Sequence, residues 1–116
     1  MNYFDIQDNF LTVKPYVQDV AEITNGLTDY IVTQDCEHLS VDISKLNLVD
    51  SLRLSAICST YHFSKYPCGN IEWIVKDTEI RNSLKLLALR TVKVSVKKPI
   101  IVNMFPVQNR KVVALR

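Results

Sequence analysis

Along this chain, short runs of β-type residues alternate with longer stretches whose apolar positions recur at helical spacing. That alternation constrains the fold more than any other feature. A strand followed by a helix and then by another strand folds most readily as a crossover unit with its strands parallel. Residues 3–6 and 10–13 are β-type runs, and Asp8-Asn9 between them is turn chemistry, which predicts a hairpin. Pro15 stops the second run and can open a helix. From 16 to about 34 the apolar residues fall at 17, 20, 23, 27, 30 and 31, one stripe of a helix. Gly26 lies inside it, at a cost of about 1 kcal/mol relative to alanine, and marks a kink or a close packing contact.

Residues 39–43 read as a buried strand and 44–50 as a loop. Asp50 or Ser51 can cap a second helix running to about Ser64, with apolar positions 54, 57, 58 and 61. Pro67-Cys68-Gly69-Asn70 is a turn, and 71–75 is a strand. Asp77 or Thr78 caps a third helix with a stripe at Ile80, Leu84, Leu87 and Ala88. Val92, Val94 and Val96 then alternate with Lys93, Ser95 and Lys97, a strand with one polar face. Pro99 ends it, and 100–102 with 111–115 read as a C-terminal hairpin. The order predicts an α/β fold: a mixed sheet of about five strands with three or more helices over 1–98, then a basic, β-like extension over 99–116.

Composition removes several function classes. The 116 residues include only two glycines, Gly26 and Gly69, so no glycine-built phosphate loop can be written. Cys36, Cys58 and Cys68 are odd in number and lack C-x-x-C spacing, which argues against a disulfide framework or a complete zinc site. Cys36-x-His38 supplies two metal ligands at most, and His62 stands alone. Tyr61, His62, Phe63 and Tyr66 cluster at a helix end and read as packing, as does Trp73. No nucleophile, base and orienting group can be assembled, so the chain is not expected to be an enzyme or to use a cofactor. No apolar run is long enough to span a membrane, and the N-terminus lacks signal-peptide character, so a cytoplasmic location is expected. The charge is divided: residues 1–79 carry all 12 acidic and five basic side chains, and residues 80–116 carry nine basic and no acidic ones.

The most informative segment is 39–54, LSVDISKLNLVDSLRL: a strand, an aspartate, a short apolar loop, then Asp-Ser at a helix start. This resembles the STAS domain, the fold of bacterial anti-sigma factor antagonists and of the cytoplasmic tails of sulfate transporters. The family runs from a strand ending in an Asp-Leu-like pair, through a loop, to Asp-Ser-Ser-Gly-Leu at the helix start. Its element order matches over about residues 3–97, and the segment 75–84 is similar to the family's junction before the third helix. The extension from Pro99 has no counterpart. The resemblance implies a non-catalytic protein-interaction module in bacterial signalling and transcription regulation. Its partner would be an anti-sigma factor, which is a serine kinase, and Ser51 aligns with the family's phosphorylated serine. An exposed serine at a helix N-terminus would accept a phosphate of about −1.5 to −2 charges without unfolding. The expected contact surface is the loop 44–50 with Asp50, Ser51, Arg53 and Ser55. In place of the family's Ser-Gly-Leu stands Leu52-Arg53-Leu54, so the glycine is replaced by arginine.

Plainer readings stand beside these. Ser51 and Asp50 can be simple capping residues, and Asp42 a strand-end or turn residue. One alternative is a divergent STAS-like scaffold or homodimerisation domain without a phospho-switch. The other is a binder of nucleic acid or an anionic ligand through the basic C-terminal half, a less favoured reading, since solvated strand faces or attraction between the halves explain the same charge.

Overall fold

The fold begins with a turn that few residues can make. Asp8 and Asn9 both adopt positive φ, 49° and 62°, the signature of a type I′ turn, which Asp and Asn tolerate better than other residues bearing a Cβ. The turn joins β1 (Phe4–Gln7) to β2 (Phe10–Val13) as an antiparallel pair, with Gln7 opposite Phe10 and Phe4 opposite Val13. Asn9 also ties the hairpin down. Its side-chain amide donates to the Asp35 carbonyl at 3.0 Å, and its Oδ1 accepts from the Tyr30 hydroxyl at 2.5 Å. The computed structural model describes residues 3–14, 19–87 and 89–98. The reading of 99–116 as a hairpin, and of Pro15 as a helix opener, lies outside the described residues.

Three crossovers follow. Helix α1 (Val20–Thr33) leads to β3 (His38–Asp42), α2 (Leu48–Lys65) leads to β4 (Asn70–Val75), and α3 (Thr78–Leu84) leads through a 3-10 turn (Lys85–Leu87) to β5 (Val92–Val96). Strands β2 to β5 are parallel, and the sheet order β1-β2-β3-β4-β5 repeats the chain order. The mixed five-stranded α/β sheet with three helices expected from the sequence is therefore the observed architecture. Every crossover steps the same way, so right-handed connections stack all three helices on one face. Burial agrees: Leu39, Val41, Ile71, Trp73 and Val75 are buried under the helices, whereas Ser40, Glu72 and Ile74 on the other face are half-buried.

Helix starts are set by side-chain caps. Asp19 accepts from the amides of Ala21 and Glu22 at 3.0 and 3.3 Å, so α1 begins at Val20, later than its apolar stripe suggests. Asp77 accepts from Ile80 at 3.0 Å and starts α3, as expected. The second helix departs from expectation. Its cap is Asn47, whose Oδ1 accepts from the Asp50 amide at 2.8 Å, so Asp50 and Ser51 lie inside the first turn.

The core is closed by two contacts made by α2. The Trp73 indole N–H, fully buried, donates to Ser59 Oγ at 2.8 Å. At the other end of the helix, Lys65 Nζ donates to the carbonyls of Ile31, Val32 and Gln34 at 2.8, 3.0 and 2.7 Å. These groups close the C-terminus of α1, whose own last turn has no basic residue, and a cation there opposes the helix dipole. Gly69, in the turn before β4, is required by space: a Cβ there would sit 2.5 Å from the Glu37 carbonyl oxygen and 2.9 Å from Tyr66 Cβ.

Two stability outcomes follow. Gly69→Ala is expected to destabilise the fold by about 1–3 kcal/mol, because the obstacle is backbone that cannot rotate away. Lys65→Met keeps the aliphatic stem and is expected to cost about 1–2 kcal/mol through the lost capping bonds. Urea denaturation at constant m checks both, and an unchanged midpoint would count against the contact in question.

Candidate functional site

The junction between β3 and α2 is organised by Asp42. This carboxylate ends the central strand and is only 5% exposed. Its Oδ1 accepts from the Ser44 amide at 2.9 Å and the Ser44 hydroxyl at 2.6 Å, and its Oδ2 accepts from Lys97 Nζ at 2.9 Å. Burial alone would raise the Asp42 pKa, but the bonds from Ser44 and Lys97 outweigh it and hold the carboxyl below its ordinary value. The Ile43 amide extends the ladder to the Ile74 carbonyl, the Leu46 amide closes a turn on Ile43, and Asn47 then caps α2. Asp42 is thus the strand-end and turn residue of the plainer reading, with an ion pair to the half-exposed Lys97 added.

The four expected contact residues divide. Asp50 is half-buried in the first turn and Arg53 is exposed, but Ser51 and Ser55 are fully buried. The expectation of an exposed Ser51 at the helix cap is therefore corrected. With the helix starting at Leu48, Ser51, Ser55 and Ser59 fall four residues apart on the inward row, beside Leu54, Cys58 and His62. Ser55 Oγ donates to the Leu52 carbonyl at 3.2 Å, whereas Ser51 Oγ has no hydrogen-bond partner among the described residues.

The outward row of α2 holds what the sequence reading missed. Val49, Ile57 and Tyr61 are 64%, 40% and 49% exposed, and together with Arg53 they recur every four residues. Ile57 and Tyr61 were expected to face inward with Leu54 and Cys58. They face outward because the serines, small and half-polar, take the inner row instead. The available signal was the Ser-x-x-x-Ser-x-x-x-Ser spacing itself, offset from that of the larger apolar residues. An exposed row of three apolar side chains around one guanidinium can dock against a partner. Tyrosine and arginine are the residue types that most often anchor such contacts.

The remaining candidates are structural. His62 is fully buried, with Nε2 2.8 Å from the Cys36 carbonyl oxygen. A carbonyl only accepts, so Nε2 carries the proton, and Nδ1 has no partner among the described residues. Burial lowers the His62 pKa, and the Cys36 carbonyl only partly offsets it. The Cys36 thiol is buried and raised by that burial, and burial pushes the Cys58 thiol up to about 12. His38 is exposed and lies against the Asn70 side-chain amide at 2.7 Å. Among the described residues no group of three or more His, Cys, Asp or Glu side chains is placed to hold a metal ion. Among the same residues no helix is long and apolar enough to cross a membrane. Comparison of the chain with protein-family models, with curated proteins and with solved structures finds no match.

The buried histidine and aspartate set two steps in acid stability. The folded state holds His62 neutral, so its contribution is complete above the ordinary histidine value of about 6.5 and is lost as the pH falls below it. Asp42 has a lowered pKa, so its contribution is present above about 3.8 and is lost as the pH falls through its folded value. The urea midpoint should drop between pH 7.5 and 5.5, and His62→Gln should flatten that drop; a parallel drop in the variant would exclude His62 as its cause. Lys97→Met is expected to cost about 1–2 kcal/mol at pH 7, since it leaves a nearly buried carboxylate without its cation while the lysine itself is partly solvated.

Proposed function

We propose that this chain is a non-catalytic protein-interaction domain of STAS type, similar to an anti-sigma factor antagonist. It binds its partner through the outward row of α2. The observation that carries the reading is the exposure of Val49, Ile57 and Tyr61 around Arg53, on the helix that follows the strand–loop–Asp-Ser segment. The family resemblance over residues 39–54 and the order of the elements support the class. The partner is then an anti-sigma-type serine kinase, and the setting is the cytoplasm of a bacterium.

The burial of Ser51 favours the form of this reading in which binding is constitutive. Its hydroxyl is inaccessible to a kinase while α2 is packed. A phosphate there would place close to two charges in the core, which the fold would have to open to solvate. Asp50 and Arg53 remain as rim charges around the apolar row. They are suited to orienting a partner more than to holding it.

Co-expression with an anti-sigma-type kinase tests both parts. The wild-type chain should co-purify with the kinase, and Val49→Asp or Ile57→Asp should weaken the complex at least about 10-fold, or 1.4 kcal/mol, with unchanged thermal melting. Binding unaffected by either substitution would remove the α2 row from the interface. Mass spectrometry of Ser51 should find it unmodified, and stoichiometric phosphate there would instead establish the switched form.

A further inference from the structure

Among the described residues the first strand lies at an edge of the sheet, with main-chain groups on its outer side. Gln7 and Phe10 flank a two-residue turn, so this pair exchanges hydrogen bonds, and the pattern alternates up the hairpin. The Lys14 amide donating to the Tyr3 carbonyl at 3.0 Å fits that alternation. Asp5 and Gln7 therefore bond to β2, while Phe4 and Ile6 direct their N–H and C=O groups away from the sheet.

Beside this edge, α1 overhangs the sheet and leaves a groove. Two adjoining hollows of about 500 and 460 Å³ share Tyr3, Gly26 and Asp29. Gly26 is a bare stretch of wall, which gives the mid-helix glycine a use. Ile6, 45% exposed, forms part of the floor. The groove follows α1 from Glu22 to Gln34, roughly 18 Å at about 1.5 Å per residue. A five-residue strand is about 17 Å long. Exposed Glu22 and Asp29 place negative charge along its wall.

We propose that this edge and groove receive residues 111–115 of the same chain, Lys-Val-Val-Ala-Leu, as a sixth strand. The segment has the matching length and is bracketed by Arg110 and Arg116, in the stretch 80–116 that has nine basic side chains and no acidic one. The opposite described edge, β5, has Lys85 and Lys93 beside it, the latter paired with Glu72, and offers the basic segment no free carboxylate along its hollow. Reach is sufficient. Five strands span about 19 Å at roughly 4.8 Å per spacing, and the 12 residues between Lys98 and Lys111 extend to about 40 Å. Side chains of alternate residues then enter the groove over Gly26, while main-chain bonds to Phe4 and Ile6 hold the register.

Amide exchange in the full-length chain tests this. Val113→Pro removes a backbone donor and disfavours extended pairing of the segment. The Phe4 and Ile6 amides should exchange at least about 10-fold more slowly in the wild type than in Val113→Pro, with α2 amides unchanged. The triple variant Arg110→Glu, Lys111→Glu, Arg116→Glu should lose the same protection at low salt. Equal exchange at Phe4 and Ile6 in wild type and Val113→Pro would overturn the proposal. Protection that grows with protein concentration, together with a dimer in sedimentation, would also overturn it by placing the segment on a second copy.

Discussion

An indole N–H buried in a protein core has to be given an acceptor, and most of this architecture is arranged around how Trp73 finds one. The ring lies on the helix-facing side of β4, fully buried, and its donor meets the hydroxyl of Ser59. Leaving such a donor unpaired costs about 1–3 kcal/mol, so the contact fixes the rotation of α2 about its own axis. Ser55 and Ser51, one and two turns earlier, are carried inward with Ser59. Their small side chains let the helix lie close over the sheet. Lys65 at the far end then reaches the open carbonyls of α1, which locks the two helices end to end as well as side by side.

The same rotation decides what the surface offers. With the serines inside, Val49, Arg53, Ile57 and Tyr61 are left in water, and the apolar character of α2 shifts to where a second protein can meet it. A row of this kind on an isolated monomer is an unsatisfied hydrophobic surface. Asp42 contributes differently. It anchors the short turn before α2 through Ser44 and Lys97, so the beginning of that helix is held by a nearly buried carboxylate and its half-exposed cation and not by loop packing alone.

Much of the fold was legible because periodicity reports burial directly. The hairpin at Asp8-Asn9, the strands and the helices all carried a period of two or of 3.6. The candidate site was less legible, and the reason is local. Asp50-Ser51 looks like a capping pair, yet Asn47, three residues ahead of Asp50, takes that role and moves the helix start back. Ser51 and Ser55 fall on the row of Ser59, which Trp73 holds inward, and Ile57 and Tyr61 are left on the outer row. Serine is ambiguous at this level: a hydroxyl that can sit on a surface also fits an inner row, where its smallness is what matters. The pairing of Asp42 with Lys97, 55 residues apart, had no local signature at all.

The strand order has a consequence for how the molecule comes to be made. Among the described residues no strand is inserted between two that precede it, so each later strand, as it leaves the ribosome, finds its neighbour already in place. Loop closures stay close to one crossover in length, which keeps the entropic barrier to each addition small. The sheet can therefore be assembled vectorially, from hairpin to β5, with a growing edge always on the side from which new chain arrives. Each later strand of the described sheet adds on the side away from β1, so these additions never cover its outer edge.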